Sequence, residues 1–180
     1  MGRLFPLIAL AQIQSSFHYF RMISQIPPSN PLGPSIRMAQ GGDASEIRRI
    51  ARMAYAKYIP RIGREPAPMA ADYDADVAAR RAVVIGADAK LRGYMVAWSE
   101  GDAYFIENIG IEPQYQGRGL GRRLIEHAVS EARRAGLAAL SLYTNEAMTE
   151  NLAMYAHIGF VETHRLSEHG FRRVYMRWTF

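Results

Sequence analysis

Gln116-Gly117-Arg118-Gly119-Leu120-Gly121-Arg122-Arg123 is the stretch from which this chain is best read. Before it, Ala103–Ile111 (AYFIENIGI) is strand-like. After it, residues 119–135 repeat apolar positions at helical spacing and close on Gly136, a residue suited to the left-handed cap that ends helices. A glycine-rich turn between strand and helix lets the backbone approach a ligand closely and leaves the first helical amides pointing at it. The partial positive charge of a helix start, reinforced by Arg118, Arg122 and Arg123, suits a phosphate or pyrophosphate. A Walker loop would carry four residues between its glycines and Lys-Ser/Thr after the second, and no lysine follows here. A dinucleotide fingerprint would sit early, as Gly-x-Gly-x-x-Gly; these glycines stand at 117, 119 and 121, late in the chain. A turn that merely packs is the plainer alternative.

Outward from the turn, strand and helix patterns alternate. Residues 36–39 read as a short strand. Asp43 and Glu46 read as a capping box opening a helix with Ile47, Ile50, Ala51, Ala54 and Tyr58 on its apolar face, and Pro60 is expected to end it. Residues 61–69 contain Gly63, Pro66 and Pro68 and read as a loop; residues 70–81 read as a second helix. Residues 82–86, 92–99 and 103–111 are expected strands, joined by turns at Asp88-Ala89 and Glu100-Gly101-Asp102. A strand at 137–143, a helix at 149–158 and closing strands at 160–166 and 172–178 complete an α/β fold around a mixed sheet.

The first thirty-five residues are a different kind of chain. They hold no Asp or Glu and five prolines, Pro6, Pro27, Pro28, Pro31 and Pro34. Residues 26–35 read as an extended linker, and Phe17, Phe20 and Ile23 sit at helical spacing after Ser15-Ser16. A secretory leader is disfavoured because the apolar stretch from Leu4 to Ala11 is short and Pro6 interrupts it. An arm of unknown role at 1–35, or a start at Met38, is expected before a single domain at 36–180.

Composition removes several functions. The chain has 180 residues, 49% hydrophobic and 22% charged, and no cysteine, so disulfide scaffolds, thiolate metal sites and cysteine nucleophiles are excluded. No apolar run reaches the roughly 18–20 residues of a membrane-spanning helix, so no membrane partner and a cytoplasmic location are expected. The net charge of +5 admits a polyanionic ligand. No groove-reading motif supports nucleic acid as partner, and the five histidines show no metal-ligand spacing. Trp98 alternates with Tyr94 and Val96 as a core residue, and Arg133-Arg134 reads as a solvated helix face.

Three blocks together resemble the GNAT acetyltransferase superfamily. Gln116, Gly119 and Gly121 match its Gln/Arg-x-x-Gly-x-Gly/Ala motif position for position, Glu107 to Pro113 resembles its preceding strand, and Asn151 to Phe160 its later helix. The likeness covers residues 36–180. It implies a mixed, mostly antiparallel central sheet flanked by helices on both faces, with acetyl-CoA as cosubstrate and no metal. Backbone amides of Gln116, Gly117, Arg118, Gly119, Leu120, Gly121 and Arg122 would hold the CoA pyrophosphate. Ile109, Gly110 and Ile111 would pair with pantetheine like an added strand, and Asn151 would contact that arm. Tyr155 matches the family's acid position, against a plain reading as a core tyrosine. Glu107, just after Tyr104-Phe105-Ile106, is the candidate base, against a plain reading as a structural carboxylate.

Tyr55, Tyr58, Ile59, Arg61, Ile62, Pro66 and Met69 fall where the resemblance places the acceptor pocket, with Arg61 or Arg64 available to a carboxylate, which would fit a small amine bearing an acid group; the plainer reading is a segment that packs on the sheet. The expected activity is acetyl transfer to a primary amine of a small molecule, directly within a ternary complex. The alternatives are an acyl-CoA-binding sensor and an acetyltransferase of a protein N-terminus or lysine. A homodimer remains open.

Overall fold

The computed structural model of the chain describes residues 33–87 and 89–180. The readings made for residues 1–32 and for Asp88 lie outside the described residues. Pro34–Thr179 form one compact unit.

Runs with alternating or continuous apolar character become strands, as their β-branched and aromatic content favours. They are β1 (Ser35–Met38), β2 (Ala82–Ala87), β3 (Lys90–Glu100), β4 (Ala103–Ile111), β5 (Ala139–Asn145), β6 (Val161–Glu168) and β7 (Phe171–Thr179). They form one sheet in the order β1-β2-β3-β4-β5-β7-β6. Every pairing is antiparallel except β4 with β5. That exception follows from connectivity: β4 and β5 are joined through the long helix α4 (Leu120–Arg134), and a helical crossover returns the chain in the same direction. The remaining helices are α1 (Ala44–Tyr55), α2 (Ile59–Ile62), α3 (Tyr73–Ala78) and α5 (Thr149–Ile158).

The sheet is covered on both faces. Ile47, Ile50 and Ala51 of α1 pack with Val84, Tyr94 and Val96 on one side, all at 1% exposure or less. Ile111 belongs to the opposite side, since Tyr94 faces Gly110 across the β3–β4 ladder and neighbours along a strand alternate. Gly121 of α4 lies over Ile111, which places α4 on that second face. Trp98 is partly buried against the first cluster. Among the described residues no helix is long and apolar enough to cross a membrane.

Local differences from the expected elements have identifiable causes. Asp43 holds the N-cap position of α1, but its side chain does not cap the helix: it accepts from the Gln40 amide at 2.7 Å and pairs with Arg37, while Glu46 pairs with Arg49. Pro60 does not terminate a helix. α1 stops at Tyr55, a 3-10 turn Ala56–Tyr58 follows, and Pro60 sits in the first turn of α2, where its missing N–H is harmless. The second helix is six residues long rather than twelve. Asp72 caps it by accepting from the Ala75 amide at 3.1 Å, and Arg80 at φ 57° ends it. The predicted cap at Gly136 forms: its amide donates to Arg133 and that of Leu137 to Ala132, with φ 73° at the glycine.

Gly110 has a packing reason for being glycine. A Cβ there would run into the ring of Tyr94, which is fully buried and shares a 2.8 Å hydroxyl hydrogen bond with Tyr73. Gly110→Ala is therefore expected to destabilise the fold by about 1–3 kcal/mol, the usual range for overpacking. An unchanged denaturation midpoint would show that the Tyr94 ring yields freely.

Candidate active site

The site begins with a failure of pairing. β4 and β5 are registered only at Tyr104–Leu140, Phe105–Ser141 and Ile106–Leu142, although both strands continue. From Glu107 onward β4 keeps only its β3 neighbour. At Glu107 the β3–β4 register also slips: Ala97 faces Ile106 and Val96 faces Asn108, so Glu107 is the extra residue of a bulge. Bulges re-aim side chains and concentrate beside active sites.

The exposed edge of β4 is oriented by two internal bonds. The Tyr55 hydroxyl donates to the Ile109 carbonyl at 2.9 Å, and the Gln116 side-chain amide donates to the Ile111 carbonyl at 2.9 Å. In a strand the N–H of a residue points the same way as its C=O, so the Ile109 and Ile111 amides also face the split. Gln116 thus pins the glycine turn onto β4, while its own amide donates to Pro113 at 3.2 Å. Gly117 and Gly119 take φ 72° and 77°, which only glycine adopts cheaply. The first backbone bond of the α4 ladder runs from Arg123 to Gly119, so the amides of residues 117–121 precede the ladder.

Two cavities open on the split. The first is a cleft of about 400 Å³ lined by Ile109, Ile111, Gln116, Gly117, Gly119, Leu120, Gly121, Arg122 and Asn151. Gly110 and Arg118, read with that group, are not in its wall; Arg118 lies 5.6 Å from the Tyr115 ring. The second is a cavity of about 50 Å³ holding Glu107, Asn108, Tyr143, Asn145, Phe171 and Arg173, with Ile62, Pro66 and Pro68 closing it. Tyr55, Asn151 and Tyr155 line both, and so form the wall where the two meet.

Of the acceptor-side residues read from sequence, Tyr55, Ile62 and Pro66 line the small cavity. Tyr58 lines the larger cleft and donates to the Asn151 carbonyl oxygen at 3.1 Å. Arg61 forms an exposed ion pair with Glu150 at 2.7 Å. Met69 is buried in a satellite cluster with Ala54, Tyr55, Tyr58 and Met148. Arg64 reaches the β6–β7 turn, donating to the His169 carbonyl at 3.2 Å and lying 4.4 Å over the Phe171 ring. Sequence reading missed Asn108, Tyr143, Asn145 and Arg173. Strand alternation identifies them as one-faced positions but does not tell which strands lie side by side.

Electrostatics separate the two candidate catalytic groups. Tyr155 is 8% exposed, and its hydroxyl has no hydrogen-bond partner among the described residues. Burial pushes its pKa well up, with Tyr58 adding to the effect. It therefore stays protonated at neutral pH and has a proton to donate. Burial also raises the Glu107 carboxyl above its usual range, and Asp76 adds to this; Arg173, Arg81 and a 3.4 Å bond from Asn108 pull it partly back. Among the described residues no cluster of His, Asp or Glu could hold a metal ion.

The chain is similar to known acetyltransferases in sequence and in fold. The family model described as the acetyltransferase (GNAT) family matches residues 46–160. The [Ribosomal protein bS18]-alanine N-acetyltransferase of Escherichia coli K12 is 38% identical over 61 residues, 34% of this chain and 41% of that protein. The streptothricin acetyltransferase of Streptomyces lavendulae is 33% identical over 89 residues, 47% of this chain and 46% of that protein. The match thus spans less than half the length of these curated relatives. The PaiA N-acetyltransferase of Thermoplasma acidophilum, solved with coenzyme A, superposes with a TM-score of 0.71 at 15% identity, covering 82% of this chain and 99% of that one.

Proposed function

The chain belongs to the GNAT acetyltransferase family, and from that premise we propose that it is an acetyl-CoA-dependent N-acetyltransferase of small primary amines, working by direct transfer in a ternary complex. The observation that carries this reading is the shared wall. Tyr55, Asn151 and Tyr155 separate the larger cleft from a small, mostly apolar cavity that holds Glu107, so a thioester in one and an amine in the other meet at Tyr155.

The residues of the cleft fit CoA chemistry. Its turn offers ladder-free amides at a helix start, suited to a pyrophosphate, and its β4 edge offers the Ile109 and Ile111 amides to an extended, amide-bearing arm. Bound acetyl-CoA supplies the activated acetyl group. The Ile109 amide is placed to hold the carbonyl oxygen of that group as charge develops on it. Glu107 takes a proton from the incoming ammonium, directly or through water, which frees the lone pair that forms the new C–N bond. Tyr155 donates a proton to the sulfur as the C–S bond breaks. Balanced from the ammonium, an acetyl group moves from sulfur to nitrogen and nitrogen loses two protons: one makes good the proton that Tyr155 gives to sulfur, and the other leaves through Glu107 to solvent.

A small acceptor is favoured over a polypeptide by the outer side of the small cavity. Arg64 ties the loop after α2 to the β6–β7 turn, and a Cβ at Gly170 would collide with its guanidinium. Ile62 and Pro66 on one of the joined segments and Phe171 on the other line the small cavity. The test incubates the protein with acetyl-CoA, an amine panel and unstructured peptides, and reads free-thiol release. Turnover on small amines supports the reading; turnover on peptides alone overturns the small-molecule part. Tight CoA binding without thiol release on any acceptor would make the protein a sensor.

The cofactor assignment has its own test. Gly121 has ordinary φ, and a Cβ there would meet only the Ile111 Cγ1 at 3.9 Å. Gly121→Asp should leave the melting temperature unchanged, since an acid in the first helical turn is favourable. It should weaken CoA binding roughly tenfold or more, because like charges about 4 Å apart repel by about 1–4 kcal/mol at surface dielectric. Gly121→Ala serves as the size control. If calorimetry finds the Asp variant binding CoA as tightly as the Ala variant, the turn does not hold the pyrophosphate.

A further inference from the structure

The small cavity is charged at both ends. At one end stand Glu107 and Asn108. Asn108 is 5% exposed, and its side-chain oxygen has no hydrogen-bond partner although it is buried. Buried acceptors are nearly always satisfied; this oxygen is itself closed off, so a turn of the amide toward the cavity that Asn108 lines would bring it to a ligand's donor. At the other end stands Arg173, its side chain 16% exposed. A guanidinium has five N–H donors in a fixed plane. Glu168 takes one at 3.2 Å, and the Tyr175 hydroxyl donates to the same carboxylate. The Tyr143 ring lies 4.0 Å below the guanidinium carbon. Arg173 is therefore held from behind and beneath, with donors to spare on an edge that lines the cavity.

We propose that the acceptor is a small amine that also carries a carboxylate, held with its amino group between Glu107 and the Asn108 side-chain oxygen and its carboxylate on the free edge of Arg173. This rests on the acetyltransferase reading given above and names its substrate class.

Charge and geometry support the same pairing. Glu107 lies on β4 and Arg173 on β7, which faces β5 at Asn145. β5 stands between them and β4 has parted from it at Glu107, so the two backbones are more than two strand spacings, about 10 Å, apart there. A glutamate and an arginine reaching inward leave room for a molecule whose amine and carboxylate are a few bonds apart. A planar guanidinium binds a carboxylate through two parallel hydrogen bonds, which fixes orientation as well as affinity. With the carboxylate fixed on β7, the amine is turned toward the Tyr155 wall, where the transfer takes place. Tyr55, Ile62, Pro66 and Phe171 supply apolar contacts for a side chain between the two ends. Neither Arg61, committed to Glu150, nor Arg64, committed to the β6–β7 turn, lines this cavity.

The decisive comparison sets free α-amino acids against their primary amides. The pair differs only in the carboxylate, and the amide resembles a polypeptide N-terminus. Thiol release is measured for both, with rates corrected for the fraction of neutral amine. The wild type should favour the free acids by roughly 10²-fold in kcat/KM. Arg173→Gln should collapse that preference toward unity, chiefly by raising KM for the acids, and Arg173→Lys should restore only part of it because a point charge lacks the fork. Thermal melts of both variants report whether the fold survives, and the Lys variant keeps the charge if the Gln variant does not fold.

Calorimetry of amino acid binding to the CoA-loaded protein reads the same contact without turnover. Carboxylate-dependent binding that Arg173→Gln abolishes upholds the assignment even where no thiol is released, in which case only the catalytic reading falls. A wild type that acetylates amides as well as acids, or a Gln variant that keeps the preference, overturns the assignment and leaves the acetyltransferase reading standing.

Discussion

Tyr155→Phe is expected to lower kcat roughly 10²-fold while leaving the melting temperature at or slightly above that of the wild type. The expectation follows from an unusual combination of burial and isolation. The ring packs edge-on against Phe160 at 5.6 Å, a contact the phenylalanine keeps. The hydroxyl bonds to nothing among the described residues, so its removal costs no protein hydrogen bond. What is lost is the proton donor at the wall between the two cavities. General acid catalysis contributes about 10²–10⁴-fold, and a thiolate leaving group needs less help than most, so the lower figure applies. Affinity for CoA should change little. A variant with wild-type kcat, where single-turnover kinetics show that chemistry limits the rate, would assign Tyr155 to packing alone.

Glu107→Gln should reduce kcat/KM by roughly 10²-fold or more and remove an acidic limb from its pH profile. The carboxyl is the extra residue of a bulge, half-buried, with its pKa raised above the ordinary 4.5 chiefly by burial. The base works only when ionised, so the wild-type rate should climb as pH passes this raised pKa. An amine of known pKa separates that limb from the acceptor's own ionisation.

Stability should move in the opposite direction. A carboxyl whose pKa is raised by folding is ionised at a cost in the native state once pH exceeds that pKa, and at no cost below the ordinary value, where both states are protonated. Glu107→Gln should therefore stabilise the fold near neutrality, and the gain should fade as pH falls toward 4.5. Wild-type rates with an intact limb in the Gln variant would leave proton removal to water and make Glu107 structural. A stability difference that persists undiminished at acid pH would refute the burial account of its pKa.

Much of the fold was legible in one dimension because it depends on local rules. The strand and helix succession follows from hydrophobic period, the α4 start and its Gly136 cap from glycine's access to left-handed backbone, and the β3–β4 hairpin from Gly101 at φ 58°. The turn at residues 116–122 could be read for the same reason: a helix start that leaves amides outside the ladder is a property of a few consecutive residues. Where two local signals competed, the sequence misled. Pro60 reads as a terminator, and only the break after Tyr55 decides that it opens α2.

The acceptor cavity belongs to tertiary structure. Nothing in the order of the residues says that β7 inserts between β5 and β6, yet that insertion brings Arg173 beside Asn145 and into the same cavity as Glu107. Nor does it say that β4 and β5 separate after Ile106, which turns Ile109 from a ladder residue into an open edge. Arg61, Arg64 and Arg173 are equal as letters. They differ in what surrounds them: Glu150 holds the first in solvent, the β6–β7 turn holds the second, and burial beside Glu168 and Tyr143 leaves the third with donors facing a cavity. Periodicity reports which face a residue lies on. Which charges share a cavity is set by strand order and by the few pairings that a sheet leaves unmade.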